Sequence, residues 1–213
     1  LGFYNIIENV KKYKIKRLFY ASSSSVYGDN NNYPLNEKQK IYPKNMYALS
    51  KKINEEISSI FNEYYQVKMT GLRFFTVYGP WGRPDMMMVK FIDSYYKKKL
   101  FKLFNFGKHV RDFTYVEDVT NILYLLLRTH KKLPNNDILN ICSNDPINLE
   151  EIIKFMNKNG ITPKVKKVTL QKADILKTHG DNKKILKYVK YKKFTHWKAA
   201  LKKTITWYQQ NMI

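Results

Sequence analysis

Two short apolar runs separated by one long helical period constrain this chain more than any other feature. Residues 16–22 (KRLFYAS) and 67–75 (VKMTGLRFF) have the length and apolar content of strands covered on both faces. Between them, over 46–65, Leu49, Ile53, Ile57, Ile60, Phe61 and Tyr64 recur at three- and four-residue steps, the period of an amphipathic helix. Ile6, Ile7 and Val10 give residues 3–14 the same character. The order helix, strand, helix, strand predicts a doubly wound α/β sheet with its two strands parallel. Ligands of such sheets sit beyond the carboxyl ends of the strands. Those ends are Ser22–Ser25 and Phe75–Gly79.

After Pro84 the pattern changes. It predicts a helix over 86–99, short strands near 101–104 and 111–116, and a helix over 117–129. A strand at 137–142, a helix at 148–158, a strand near 164–170 and helices near 182–188 and 195–210 follow. Residues 1–80 thus read as one unit that carries the ligand end of the sheet. Residues 81–213 read mainly as a smaller α/β lobe, with segments free to return to the first unit.

Composition narrows the function classes. The single cysteine, Cys142, excludes an internal disulfide and suits a reducing cytoplasm. No apolar run approaches the ~20 residues of a membrane span, so no membrane partner is expected. The net charge of +22 invites a nucleic-acid reading. Only five of the 39 basic residues are arginine, however, and the lysines are spread along the chain instead of forming a stripe. No nucleic-acid partner is expected; the charge would help draw in an anionic diphosphate. His109, His130, His179 and His196 show no metal spacing, so no metal is expected.

The chemistry gathers in two segments. One is the hydroxyl cluster Ser22-Ser23-Ser24-Ser25 at a strand end. The other is Tyr47-Ala48-Leu49-Ser50-Lys51 near a helix start, where Tyr and Lys four apart share one face. An ammonium beside a phenol favours the phenolate, a usable general base. Alone this spacing is a weak signal in a lysine-rich chain, and the strand-end serines give it a site.

Here the sequence resembles the extended short-chain dehydrogenase/reductases, the NAD-dependent nucleotide-sugar epimerases and dehydratases. Residues 73–86 (RFFTVYGPWGRPDM) are similar to the signature of the UDP-glucuronate 4-epimerases. The likeness continues in Arg111-Asp112-Phe113-Thr114-Tyr115-Val116 with Asp118, and more faintly in Ala173-Asp174, Thr178 and Asp181. The resemblance implies a Rossmann-like doubly wound parallel sheet with NAD as cofactor. It implies that Ser23, Tyr47 and Lys51 are catalytic and also touch NAD, with Phe75 lining the nicotinamide pocket. Ser24, Ser25, Thr76, Arg83, Arg111 and Asp174 fall at positions that contact the substrate, a nucleotide sugar of the UDP-hexuronate class. Arg83 would pair with a sugar carboxylate, Arg111 would meet the diphosphate, and Asp174 the nucleotide ribose. The implied reaction inverts C4 of UDP-glucuronate through a 4-keto sugar.

Dehydratases of this family carry Asp-Glu after the catalytic hydroxyl. Ser24 and Ser25 stand there instead, which leaves water elimination without a proton donor. A glucuronate decarboxylase, an epimerase of a non-acidic sugar and an inactive remnant are the alternatives. The family also opens with a strand and a GxxGxxG turn that seats the pyrophosphate. No such turn occurs here, so roughly the first third of a normal member is expected to lie outside this sequence. The 213-residue chain alone is then expected to bind NAD poorly. Helices 3–14 and 46–65 correspond to those that pair in the family's homodimer.

Overall fold

The computed structural model describes residues 2–170 and 174–211. Ala173, in the fainter part of the resemblance, lies outside the described residues. Helix α1 (Gly2–Lys12) leads into β1 (Arg17–Ser23) and a 3-10 turn over Ser24–Tyr27. Helix α2 (Met46–Tyr65) is followed by β2 (Lys68–Phe74), β3 (Thr76–Tyr78) and α3 (Met87–Tyr96). Strands β4 (Phe101–Phe104) and β5 (Val110–Tyr115) precede α4 (Val116–Thr129). Then come β6 (Asn136–Ile141), β7 (Pro146–Asn148), α5 (Leu149–Lys158), β8 (Val165–Val168), α6 (Lys183–Tyr188) and α7 (Trp197–Asn211).

The central sheet runs β1-β2-β6, all parallel, with Arg17 opposite Lys68 and Met69 opposite Asn136. This is the expected doubly wound arrangement. A second sheet, β3-β5-β7, pairs β3 and β5 in parallel and β5 and β7 antiparallel. A parallel pair, β4-β8, completes the strands. The run 67–75 forms the single strand β2, and after Phe75 the chain resumes as β3, which joins the second sheet.

Two cores cover the central sheet. Ile7 and Val10 of α1 and Phe61 of α2 pack with Tyr20, Val67 and Met69. Val119, Ile122 and Leu126 of α4, with Ile185 of α6, pack with Leu72, Leu139 and Ile141. Elements after residue 80 therefore return to this sheet. A third core joins α3, α5 and α7 to β4, β5 and β7 through Phe91, Ile152 and Leu201, among others.

The apolar residues of α2 divide between two faces, with Ile57 and Phe61 turned to the core on the sheet. Leu49, Ile53, Ile60 and Tyr64 are exposed, as are Tyr4, Ile6 and Tyr13 on and just after α1. The inward stripe is Ala48, Lys51, Glu55, Ser58 and Phe61, where small and polar side chains are used for contacts to the strand ends. Among the described residues no helix is long and apolar enough to cross a membrane.

Candidate active site

Strand β1 ends where its sequence turns from apolar to hydroxyl-bearing residues. Ser23 caps the 3-10 turn: its Oγ accepts from the Ser25 amide at 3.2 Å and donates to Ser25 Oγ at 3.1 Å. Gly28 ends the turn at φ +61°, where a Cβ would lie 1.9 Å from the Tyr42 carbonyl oxygen. Helix α2 starts at Asn45, whose side chain accepts from the Ala48 amide at 2.8 Å. That cap sets the first turns of α2 over the serines. Lys51 Nζ donates to the Ala21 carbonyl at 2.9 Å and lies 5.8 Å from the centre of the Tyr47 ring. Tyr47 is half-exposed.

These groups open onto a cavity of about 520 Å³ at the carboxyl ends of β1 and β2. Ser23, Ser24, Ser25, Tyr47, Lys51, Phe75, Thr76 and Arg83 all line it. Phe75 forms part of its floor, buried against Tyr27 and Cys142. Gly180 makes room for it, since a Cβ there would lie 2.6 Å from the Phe75 ring and 2.5 Å from Cys142 Sγ. Burial, and next the nearby Asp112 carboxylate, push the Cys142 thiol well up, so it is no nucleophile. Arg83 stands exposed on the rim with its guanidinium held by Asp85, Nε to Oδ1 at 2.9 Å.

Arg111 and Asp174 do not join this group. They line an adjoining chamber of about 250 Å³, which shares Thr76, Val77, Tyr78, Gly79, Gly82 and Met86 with the first. Arg111 donates through Nη1 to the carbonyls of Val110 and Leu176, at 3.1 and 3.0 Å. Its pKa is lowered by burial, against the attraction of Asp174. His109, 5% exposed, adds its Nε2 at 3.6 Å from Asp174 Oδ2. Burial and then Arg111 lower its pKa, which favours the neutral imidazole. The two chambers form one bent trough, with hydroxyls, a phenol and an ammonium at one end and a guanidinium and a carboxylate at the other.

Sequence reading passed over four residues here. His109 carried no spacing signal. Trp81, exposed at φ +60° on the rim and 5.1 Å from Trp207, is a conformational outlier invisible in sequence. Glu55 and Arg73 form a buried ion pair behind the serines; Glu55 continues the Tyr47, Lys51 step of four and was legible on that ground. Among the described residues no group of three or more His, Cys, Asp or Glu could hold a metal.

The fold and the Ser, Tyr and Lys set at its strand ends define a Rossmann-like α/β protein of the extended short-chain dehydrogenase/reductase type. The chain belongs to the NAD dependent epimerase/dehydratase family, whose model matches residues 1–142. An uncharacterised 37.6 kDa protein of Escherichia coli O111:H- is 35% identical over 228 residues, covering 98% of this chain and 67% of that one. UDP-glucuronate 4-epimerase 4 of Arabidopsis thaliana is 34% identical over 225 residues, covering 97% of this chain and 51% of the other. Among solved structures, MoeE5 in complex with UDP-glucose and NAD superposes with a TM-score of 0.92 at 25% identity, over 99% of this chain and 71% of that one. The chain thus spans about half to two thirds of the length of these curated relatives.

Proposed function

We propose that the gene product carrying this sequence is an NAD-dependent nucleotide-sugar epimerase that inverts C4 of UDP-glucuronate to give UDP-galacturonate. One observation carries this reading: Ser23, Tyr47 and Lys51 meet in one cavity at the strand ends, with Arg83 on its rim. The likeness to UDP-glucuronate 4-epimerases supports the choice of sugar.

The residues fit one end of a nicotinamide cofactor. Lys51 spends one hydrogen bond on Ala21, and its other protons have no partner among the described residues, so they can meet ribose hydroxyls. Phe75 supplies a flat apolar wall. When bound, NAD supplies a reversible hydride acceptor for C4. The protein's share is orientation and proton transfer. Tyr47, as phenolate, takes the proton of the sugar 4-hydroxyl and later returns it. Ser23 holds that oxygen, and Lys51 keeps positive charge beside the phenolate. Arg83 faces the sugar end, and Arg111 and Asp174 face the nucleotide end. The exposed apolar faces of α1 and α2 support pairing of two copies through those helices.

Tyr47→Phe in the full gene product is expected to cut turnover of UDP-glucuronate about 10²–10⁴-fold, with the fold retained by circular dichroism. Product analysis of UDP-glucuronate with NAD reads it; near-normal epimerisation by the variant would sink the assignment. A second reading, epimerisation of a neutral sugar, is favoured by the existing grip of Asp85 on Arg83. UDP-glucose as the competing substrate separates the two.

A further inference from the structure

Helix α2 directs three side chains at four-residue steps toward the strand ends: Tyr47, Lys51 and Glu55. The third has no part in the chemistry above. Glu55 is 8% exposed and faces Arg73, 5% exposed. Its Oε1 accepts from Arg73 Nε at 2.9 Å and from Ser22 Oγ at 2.5 Å, and its Oε2 accepts from Arg73 Nη2 at 2.7 Å. Ser22 and Arg73 stand opposite each other in the β1-β2 register. One carboxylate therefore ties α2 to both strands at one level. One helical turn nearer the site, Lys51 holds the Ala21 carbonyl. Two turns of α2 thus grip two adjacent residues of β1, Ala21 and Ser22, which lead directly into Ser23.

The far side of Ser23 answers to the same ion pair. The Arg73 guanidinium lies 4.8 Å from the centre of the Tyr27 ring, at the end of the turn that Ser23 caps. The Tyr27 hydroxyl donates to Asn140 Oδ1 on β6 at 2.8 Å. Buried ion pairs are poor stabilisers, because desolvation offsets their attraction and apolar replacements often do as well. A bidentate carboxylate–guanidinium pair, by contrast, fixes both distance and rotation. With a rise of about 1.5 Å per residue, Glu55 sets the height of Lys51 about 6 Å away and of Tyr47 about 12 Å away.

We propose that Glu55 is a positioning residue: paired with Arg73, it locks α2 in height and rotation against β1 and β2, so that Tyr47 and Lys51 meet Ser23 in register. The kinetic half of this rests on the epimerase reading; the structural half does not. The test pairs Glu55→Leu with Arg73→Met in the full gene product, removing both charges without stranding either. The double variant is expected to melt near the wild-type temperature. Its kcat should fall at least about tenfold while KM moves less than about twofold, because substrate-side groups on other elements are untouched. Amide hydrogen exchange over residues 46–51 should quicken, with residues 60–65 unchanged. Wild-type kcat and unchanged exchange in a folded double variant would overturn the proposal. Ser22→Ala, which removes one link and strands no charge, should move kcat and exchange the same way; no change there overturns the proposal even if the double variant does not fold. Should the wild type turn over no UDP-sugar, the epimerase reading falls, and the exchange data alone decide whether the clamp exists.

Discussion

Arg83 shows how a side chain can be in place and still be engaged. Its fork is filled by Asp85 two residues on, and both are exposed. A sugar carboxylate would have to share or replace Asp85, with water competing throughout. Arg83→Met is expected to raise KM for UDP-glucuronate about tenfold or more, the scale of a lost charged hydrogen bond, and to leave KM for UDP-glucose nearly unchanged. Equal losses on both sugars in steady-state assays would remove Arg83 as the carboxylate reader. Asp112 is the opposite case, fully buried. Burial raises its pKa, against hydrogen bonds from the Gly180 amide and from the Ser143 hydroxyl and amide. A raised native value means that the folded state keeps its proton where the unfolded chain has released it. The Asp112 contribution is therefore fully present below the unfolded value of about 4 and is lost as pH rises through the native value. Urea titrations at stepped pH should show wild type losing stability relative to Asp112→Asn across that window. A relative gain would mean that the hydrogen bonds outweigh burial.

Asp118 acts between elements. It opens α4, where a negative charge meets the positive end of the helix dipole. Its carboxylate also accepts from the Tyr191 hydroxyl at 2.6 Å, the Thr195 amide at 2.9 Å and the Thr195 hydroxyl at 2.9 Å. The segment leading into α7 is thereby pinned to the start of α4. Asp118→Ala strands these donors and is expected to cost about 1–3 kcal/mol, lowering the melting temperature by about 2–4 °C for each kcal/mol. Calorimetry showing no shift would mean that water replaces the carboxylate. In sequence, Asp118 was legible only as part of a resemblance. The long elements were legible because period survives in them: α2 and α4 each repeat their pattern over several turns. Strands β3 and β7, three residues each, are too short to show a period. Which face of α2 meets the sheet was not legible, for a physical reason: most of its apolar residues mark exposed surface, and its sheet-facing side is polar where Lys51 and Glu55 grip the strands. At the site, the serines, Tyr47 and Lys51 were found from spacing. The division of the predicted ligand residues between two chambers was not, because it depends on where β3 and β5 place Thr76 and Arg111.

At the scale of the molecule the governing quantity is charge. A net +22 over 213 residues leaves most lysines without an acidic partner, and several of the pairs that do form are exposed and weak. Self-repulsion then opposes the compact state, while the same field draws anions toward the trough. Salt acts on both at once. Between about 0.01 M and about 0.15 M the Debye length shrinks from about 30 Å to about 8 Å, so charges spread over the surface cease to sense one another. The melting temperature is expected to rise with sodium chloride over this range, as repulsion is screened. Affinity for the UDP-sugar is expected to fall over the same range, as attraction to the diphosphate is screened. The two slopes have opposite sign because one field produces both. Differential scanning fluorimetry and calorimetric titration across the salt series measure them. Parallel slopes would show that ion-specific effects, and not the net field, govern this protein.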